Sequence, residues 1–98
     1  MPIVMMMRWP AVSLEGYDEV RRVTKFDTDA PSGGIYHVAT HDGENLRVVD
    51  VWESAEDFQQ FVETRLMPAV AQLGLPGEPQ IEVYPVHFSF APGYAEKG

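Results

Sequence analysis

The sequence contains no cysteine, so disulfides, thiolate nucleophiles and cysteine-ligated zinc or iron–sulfur centres are all excluded. Basic residues are scarce: 7 Lys+Arg stand against 15 Asp+Glu, a formal net charge of -8. That balance argues against nucleic acid or an anionic membrane surface as a partner. Long apolar runs are missing too. Met1 to Met7 is too short for a membrane span or a secretion signal, and Trp9-Pro10 follows it, so the expected location is the cytoplasm. No nucleotide loop is present, because Gly33-Gly34 reads as a turn before a strand rather than a phosphate cradle before a helix. What remains is a globular composition, 45% hydrophobic and 22% charged over 98 residues, which fits one domain (1–98) and not two. A chain this short buries roughly two thirds of its unfolded surface, so its core is modest and a second subunit would add to it.

The apolar run Ile3 to Trp9 has strand length and is stopped by Pro10. Ser13 is an N-cap candidate for a first helix, with Leu14, Tyr17, Val20 and Val23 on one side. Asp27 to Gly34 is rich in turn formers. Ile35–His41 and Leu46–Glu53 read as strands joined around Asp42-Gly43, a hairpin signal. Ser54 with Asp57 then opens a second helix, whose Phe58, Phe61, Val62, Leu66, Ala69, Val70 and Leu73 share one face. Gly74 stops that helix, and Pro68 within it should cost a hydrogen bond and bend it. Ile81 to Phe90 reads as a last strand, with Pro85 pointing to an edge position or a bulge.

The resulting order, β-α-β-β-α-β, predicts an α+β, ferredoxin-like arrangement: a four-stranded antiparallel sheet with both helices on one face. Apolar residues nevertheless fall on both faces of the strands, as in Val49 and Val51 against Leu46, Val48 and Trp52. Four strands of about six residues present roughly 400 Å² per face. An exposed apolar patch of that size usually marks an interface. With the helices used on one side, a second copy of the sheet is the expected cover, giving a homodimer through the sheet face.

The strand order, and above all Val49-Asp50-Val51-Trp52-Glu53-Ser54 running into Glu56-Asp57-Phe58, resembles the dimeric α+β barrel superfamily and within it the antibiotic biosynthesis monooxygenase-like branch. The motif covers residues 49 to 58 and the fold-level likeness nearly the whole chain. The resemblance implies paired sheets around small cavities, and activities that include cofactor-independent oxygenation of phenolic polyketides, cyclisation and haem degradation. The haem-degrading subgroup fits poorly: its pattern wants an Asn on the first strand and a His nine residues past the Trp, where this chain has Phe61. No cofactor is therefore expected.

A loop at Gly43-Glu44 or Asp42–Asn45 sets His37 opposite Asp50, Ala39 opposite Val48 and Ile35 opposite Trp52, whereas a one-residue slip turns His37 and Asp50 to opposite faces. Opposed side chains have Cβ atoms roughly 5 Å apart, within reach of a His–carboxylate hydrogen bond. The resemblance implies that Asp50 and Trp52 point to a cavity, with Val49 and Val51 on the helix-packed side. In that reading His37 is a base, Asp50 orients it, and Trp52, Val48 and Ile35 contact a small hydrophobic or aromatic substrate. In the cofactor-free oxygenases such deprotonation makes the substrate electron-rich enough to react with oxygen. The bland reading stands beside it: His37 and Asp50 satisfy each other, Trp52 fills the core, and the chain is a non-catalytic ligand-binding or dimerisation module. Arg8 is a rival partner for Asp50 if their side chains share a face.

The other candidates are weaker. His41 sits about 13 Å along the strand from His37, too far for a shared metal, and a metal site from His37, Asp50 and His87 lacks ligand spacing. Tyr17, Tyr36 and Tyr84 can donate hydrogen bonds in a pocket, or sit as amphipathic core-edge residues. Met5-Met6-Met7 cannot share one strand face and reads as core filling. Pro2, if Met1 is removed, would offer the secondary amine used by small tautomerases, but the downstream pattern differs from theirs.

Overall fold

Alternation along the first strand decides the layering. In a computed structural model, which describes residues 1–95, β1 (Ile3–Pro10) buries Ile3, Met5, Met7 and Trp9 and turns Val4, Met6 and Arg8 to the other side. The chain continues through α1 (Leu14–Thr24), β2 (Gly34–His41) and β3 (Asn45–Trp52). A second helix, α2, runs as Ala55–Phe61, a π-helical turn Val62–Leu66 and Met67–Leu73; β4 (Gln80–Pro85) and a short α3 (Pro92–Ala95) follow. The sheet order is β2-β3-β1-β4 with every neighbouring pair antiparallel, the expected ferredoxin-like arrangement.

β3 matches β1 in parity. Leu46, Val48, Asp50 and Trp52 are buried facing the helices, whereas Val49 lies opposite Met6 and is 38% exposed. Placing Val49 and Val51 on the helix side is therefore corrected. Leu46, Val48 and Trp52 together bring more apolar surface to the core than the two valines would, and burial scales with that area. The same parity overturns an Arg8–Asp50 pair: Arg8 is opposite Arg47 on the outer face, and its guanidinium bonds the Gln80 side chain instead.

Local signals place the helices. Ser13 caps α1 by accepting the Gly16 N–H at 3.0 Å. The inward stripe of α1 is Tyr17, Val20 and Thr24, and Leu14 is exposed, one step off the face expected for it. Ser54 caps α2 through the Asp57 N–H at 3.1 Å. All seven residues assigned to its inner face are buried or pack against the core. Pro68 does not end the helix. The π turn just before it sends the Met67 N–H back five residues to the Val62 carbonyl, so the ladder has already opened where the proline ring needs room.

β4 is the expected edge strand but stops at Pro85 rather than reaching Phe90. Its partner runs out: Ile3 pairs with Pro85, and the last bond is Val86 N–H to Pro2 O at 3.0 Å. His87 thus lies beyond the strand, and Phe88 and Phe90 are exposed. In the hairpin, Asp42 accepts from the Arg47 guanidinium and from the Glu44 and Asn45 N–H groups, which hold its carboxyl well below the usual carboxylate range. His41 is spent on the same turn: its Nδ1 accepts the Gly43 N–H at 3.0 Å and its Nε2–H donates to the Val12 carbonyl at 3.1 Å. Among the described residues no helix is long and apolar enough to cross a membrane.

Candidate functional site

A cavity of about 200 Å³ lies between the inner face of the sheet and the protein's own helices. Met5, Met7 and Val48 from β1 and β3 form its floor, and Trp52, Phe58 and Phe61 a wall. Trp52 packs 5.5 Å from the Phe61 ring and 5.7 Å from the Phe58 ring. Phe26 and Pro31, from the segment between α1 and β2, meet Ile35 at the mouth. Among the described residues no Lys or Arg lines it.

All five residues singled out from the sequence border this cavity: His37, Asp50, Trp52, Val48 and Ile35. The register brings His37 opposite Asp50 and Ala39 opposite Val48 as expected. Ile35 is not opposite Trp52. A bulge puts Gly34 there and pairs Tyr36 with Val51, leaving Ile35 unpaired and 51% exposed at the rim. Gly33, at φ +82°, makes the preceding turn and accepts the Glu53 N–H at 2.8 Å.

One polar chain runs along the cavity edge. Asp50 is only 6% exposed, and its carboxylate accepts from Trp52 Nε1–H at 3.1 Å and from His37 Nδ1 at 2.6 Å. A carboxylate can only accept, so in the neutral imidazole the proton sits on Nδ1 and Nε2 carries the lone pair. Tyr17 Oη donates to that Nε2 at 2.6 Å. Burial pushes the Tyr17 hydroxyl above the usual phenol value; Arg21 opposes this, while the Asp50, Asp18 and Asp27 carboxylates reinforce it. Tyr17 is thus a neutral donor at physiological pH. Its ring lies nearly parallel to the imidazole, with centroids 5.9 Å apart, and Phe26 meets the imidazole edge-on at 4.8 Å. His37 does not join His87 in a metal site: among the described residues no cluster of three or more His, Asp or Glu could hold an ion.

Phe26 and Arg65 were not legible as site residues. Arg65 leaves the π turn, passes 5.7 Å from the Phe61 ring centroid, and donates through Nη2 to the Thr24 carbonyl at 2.5 Å and the Asp29 carbonyl at 2.8 Å. It thereby holds the segment that carries Phe26. An aromatic residue ahead of a run of turn formers was the only hint, and nothing in sequence ties that segment to the helix that carries Arg65.

No described protein family matches the sequence, and no curated protein does. Solved structures do match the fold. A protein of unknown function from Nitrosomonas europaea aligns with a TM-score of 0.73 at 17% identity, over 93% of this chain and 94% of that one. SnoaB, a cofactor-independent oxygenase from Streptomyces nogalater, aligns at 0.66 and 15% identity, over 90% of this chain and 95% of its own. A candidate antibiotic biosynthesis monooxygenase from Caulobacter crescentus aligns at 0.65 and 17% identity, over 87% and 89%. The fold is that of the antibiotic biosynthesis monooxygenase-like proteins, in agreement with the motif around Trp52.

Proposed function

We propose that this chain is a cytoplasmic homodimer that binds a compact, uncharged phenol or enol and removes its acidic proton, as a cofactor-independent oxygenase or cyclase would. The observation that carries the reading is the buried Asp50 carboxylate behind His37, opening on an apolar cavity. The fold shared with SnoaB supports the same class. Cavity size narrows the substrate. A dry cavity of about 150 Å³ takes benzene, so about 200 Å³ suits one ring with short substituents or two fused rings. With no Lys or Arg in the lining among the described residues, a substrate bearing a separate carboxylate or phosphate would lose its hydration without compensation.

The test is turnover of one- and two-ring phenols and enols, followed by oxygen uptake and product analysis. His37→Gln keeps the size of the side chain and removes the base, and should cost on the order of 10²–10⁴-fold in rate. Undiminished turnover in a folded variant would remove His37 from the reaction. A second reading, a non-catalytic ligand-binding module, draws on a specific fact: among the described residues every buried side-chain polar atom is already partnered. Binding of such phenols without any conversion would favour it.

The dimer belongs to the same proposal. The outer sheet face carries Val4, Met6, Val38, Val49 and Val51, with Val49 between Met6 and Val38. Two such faces cover each other's apolar centre. Val49→Asp sets two carboxylates into that dry centre and should raise the dissociation constant at least 100-fold by sedimentation, leaving the subunit folded. A wild-type protein that sediments as a lone subunit at micromolar concentration overturns the dimer.

A further inference from the structure

Counting donors and acceptors shows where a substrate hydroxyl can join the polar chain. Asp50 is occupied on Oδ1 by His37 and on Oδ2 by Trp52. The Trp52 N–H is spent on Asp50, and both imidazole nitrogens of His37 are taken, Nδ1 by Asp50 and Nε2 by Tyr17. A neutral imidazole nitrogen has a single in-plane lone pair, so Nε2 has no second place for an incoming proton donor. A phenol oxygen that gives its own proton away still has acceptor capacity. Tyr17 Oη is that atom, and Tyr17 lines the cavity.

We infer that Tyr17 is the group a substrate hydroxyl touches, and that it passes the proton inward to His37. The inference rests on the functional reading above and adds a residue to it. The transfer balances. The substrate O–H bond breaks and its proton forms a new O–H bond on Tyr17; the original Tyr17 O–H breaks and that proton forms N–H on His37 Nε2. The products are a substrate anion hydrogen-bonded to a neutral Tyr17, and an imidazolium facing the Asp50 carboxylate. Tyr17 is never left as a free phenolate, which suits a partly buried hydroxyl whose ionisation burial disfavours, with Arg21 opposing this and the Asp50, Asp18 and Asp27 carboxylates reinforcing it.

The experiment uses 4-nitrophenol, whose anion absorbs at longer wavelength than its neutral form, titrated with pH in the presence of saturating protein. Wild-type protein should favour the bound anion at least tenfold relative to free probe at the same pH. Tyr17→Phe keeps the ring against His37 and should abolish that enrichment while still binding neutral probe; Tyr17→Leu gives the same reading should the phenylalanine protein fail to fold. His37→Gln should abolish it as well. Enrichment retained in both Tyr17 variants but lost in His37→Gln overturns the relay and leaves His37 as a direct base. A wild-type protein that binds the probe without enriching its anion, or does not bind it, overturns the functional reading and the relay together.

Discussion

Asp50→Asn is expected to lower proton abstraction by about 10²-fold or more and to cost about 1–3 kcal/mol of stability. The carboxylate is buried and accepts from two donors, His37 Nδ1–H and Trp52 Nε1–H, one on each oxygen. Asparagine fills the same volume but brings one acceptor and one N–H₂ group, so a donor is left facing a donor. An unsatisfied buried donor costs about 1–3 kcal/mol. The amide oxygen turns to the Trp52 Nε1–H, which is buried, so the lost contact falls on His37, whose side chain is 31% exposed and can turn to water. The loss in rate has a separate origin: without the negative charge, the imidazolium formed during the reaction is no longer stabilised. The two effects part experimentally, stability by thermal unfolding and rate by phenol turnover. If Asp50→Asn ionises bound phenols as well as the wild type, Asp50 has no part in the chemistry.

Gly77→Ala should give a large, purely structural effect. Gly77 lies between α2 and β4 at φ +72°, and a Cβ there would sit 2.6 Å from the backbone carbonyl oxygen of Pro10. Backbone cannot rotate aside as a side-chain tip can. Next to it the Trp9 Nε1–H bonds the Pro76 carbonyl at 3.1 Å, so this connection is fastened to the end of β1. Strain and clash together should cost about 2–4 kcal/mol, lowering the melting temperature by 10 °C or more in a domain of about this length. Gly43→Ala is the control, because Gly43 is also at positive φ, +102°, but no atom lies within 4 Å of its Cβ position. Equal losses in the two variants, at one protein concentration, would show that the Pro10 carbonyl contributes nothing.

The fold was legible because its signals are local and agree. Ser13 and Ser54 cap the helices, Asp42-Gly43 makes the hairpin, and the periodic face from Phe58 to Leu73 packs as written. The pairing of His37 with Asp50 was legible because a hairpin fixes register over a short span. What was not legible depends on contacts remote in sequence. The choice of buried face for β3 depends on comparing whole sets of side chains, and both sets contain valine. The bulge at Ile35 answers to a glycine turn whose carbonyl binds across to Glu53. β4 ends where its neighbour begins, not where its own apolar residues do. Tyr17 was legible as a donor, but its partner is decided by how α1 lies across β2.

Arg65 has a bearing on which molecules gain entry. Its guanidinium grips the carbonyls on either side of Phe26, those of Thr24 and Asp29, from a π turn in the facing helix. The aromatic doorstep is therefore bolted to the opposite jamb. A guest too wide for the resting opening must first draw that bolt, at about 1.5–3 kcal/mol for each charged hydrogen bond. On the proposed function, size is sorted at the threshold, before a substrate meets Tyr17.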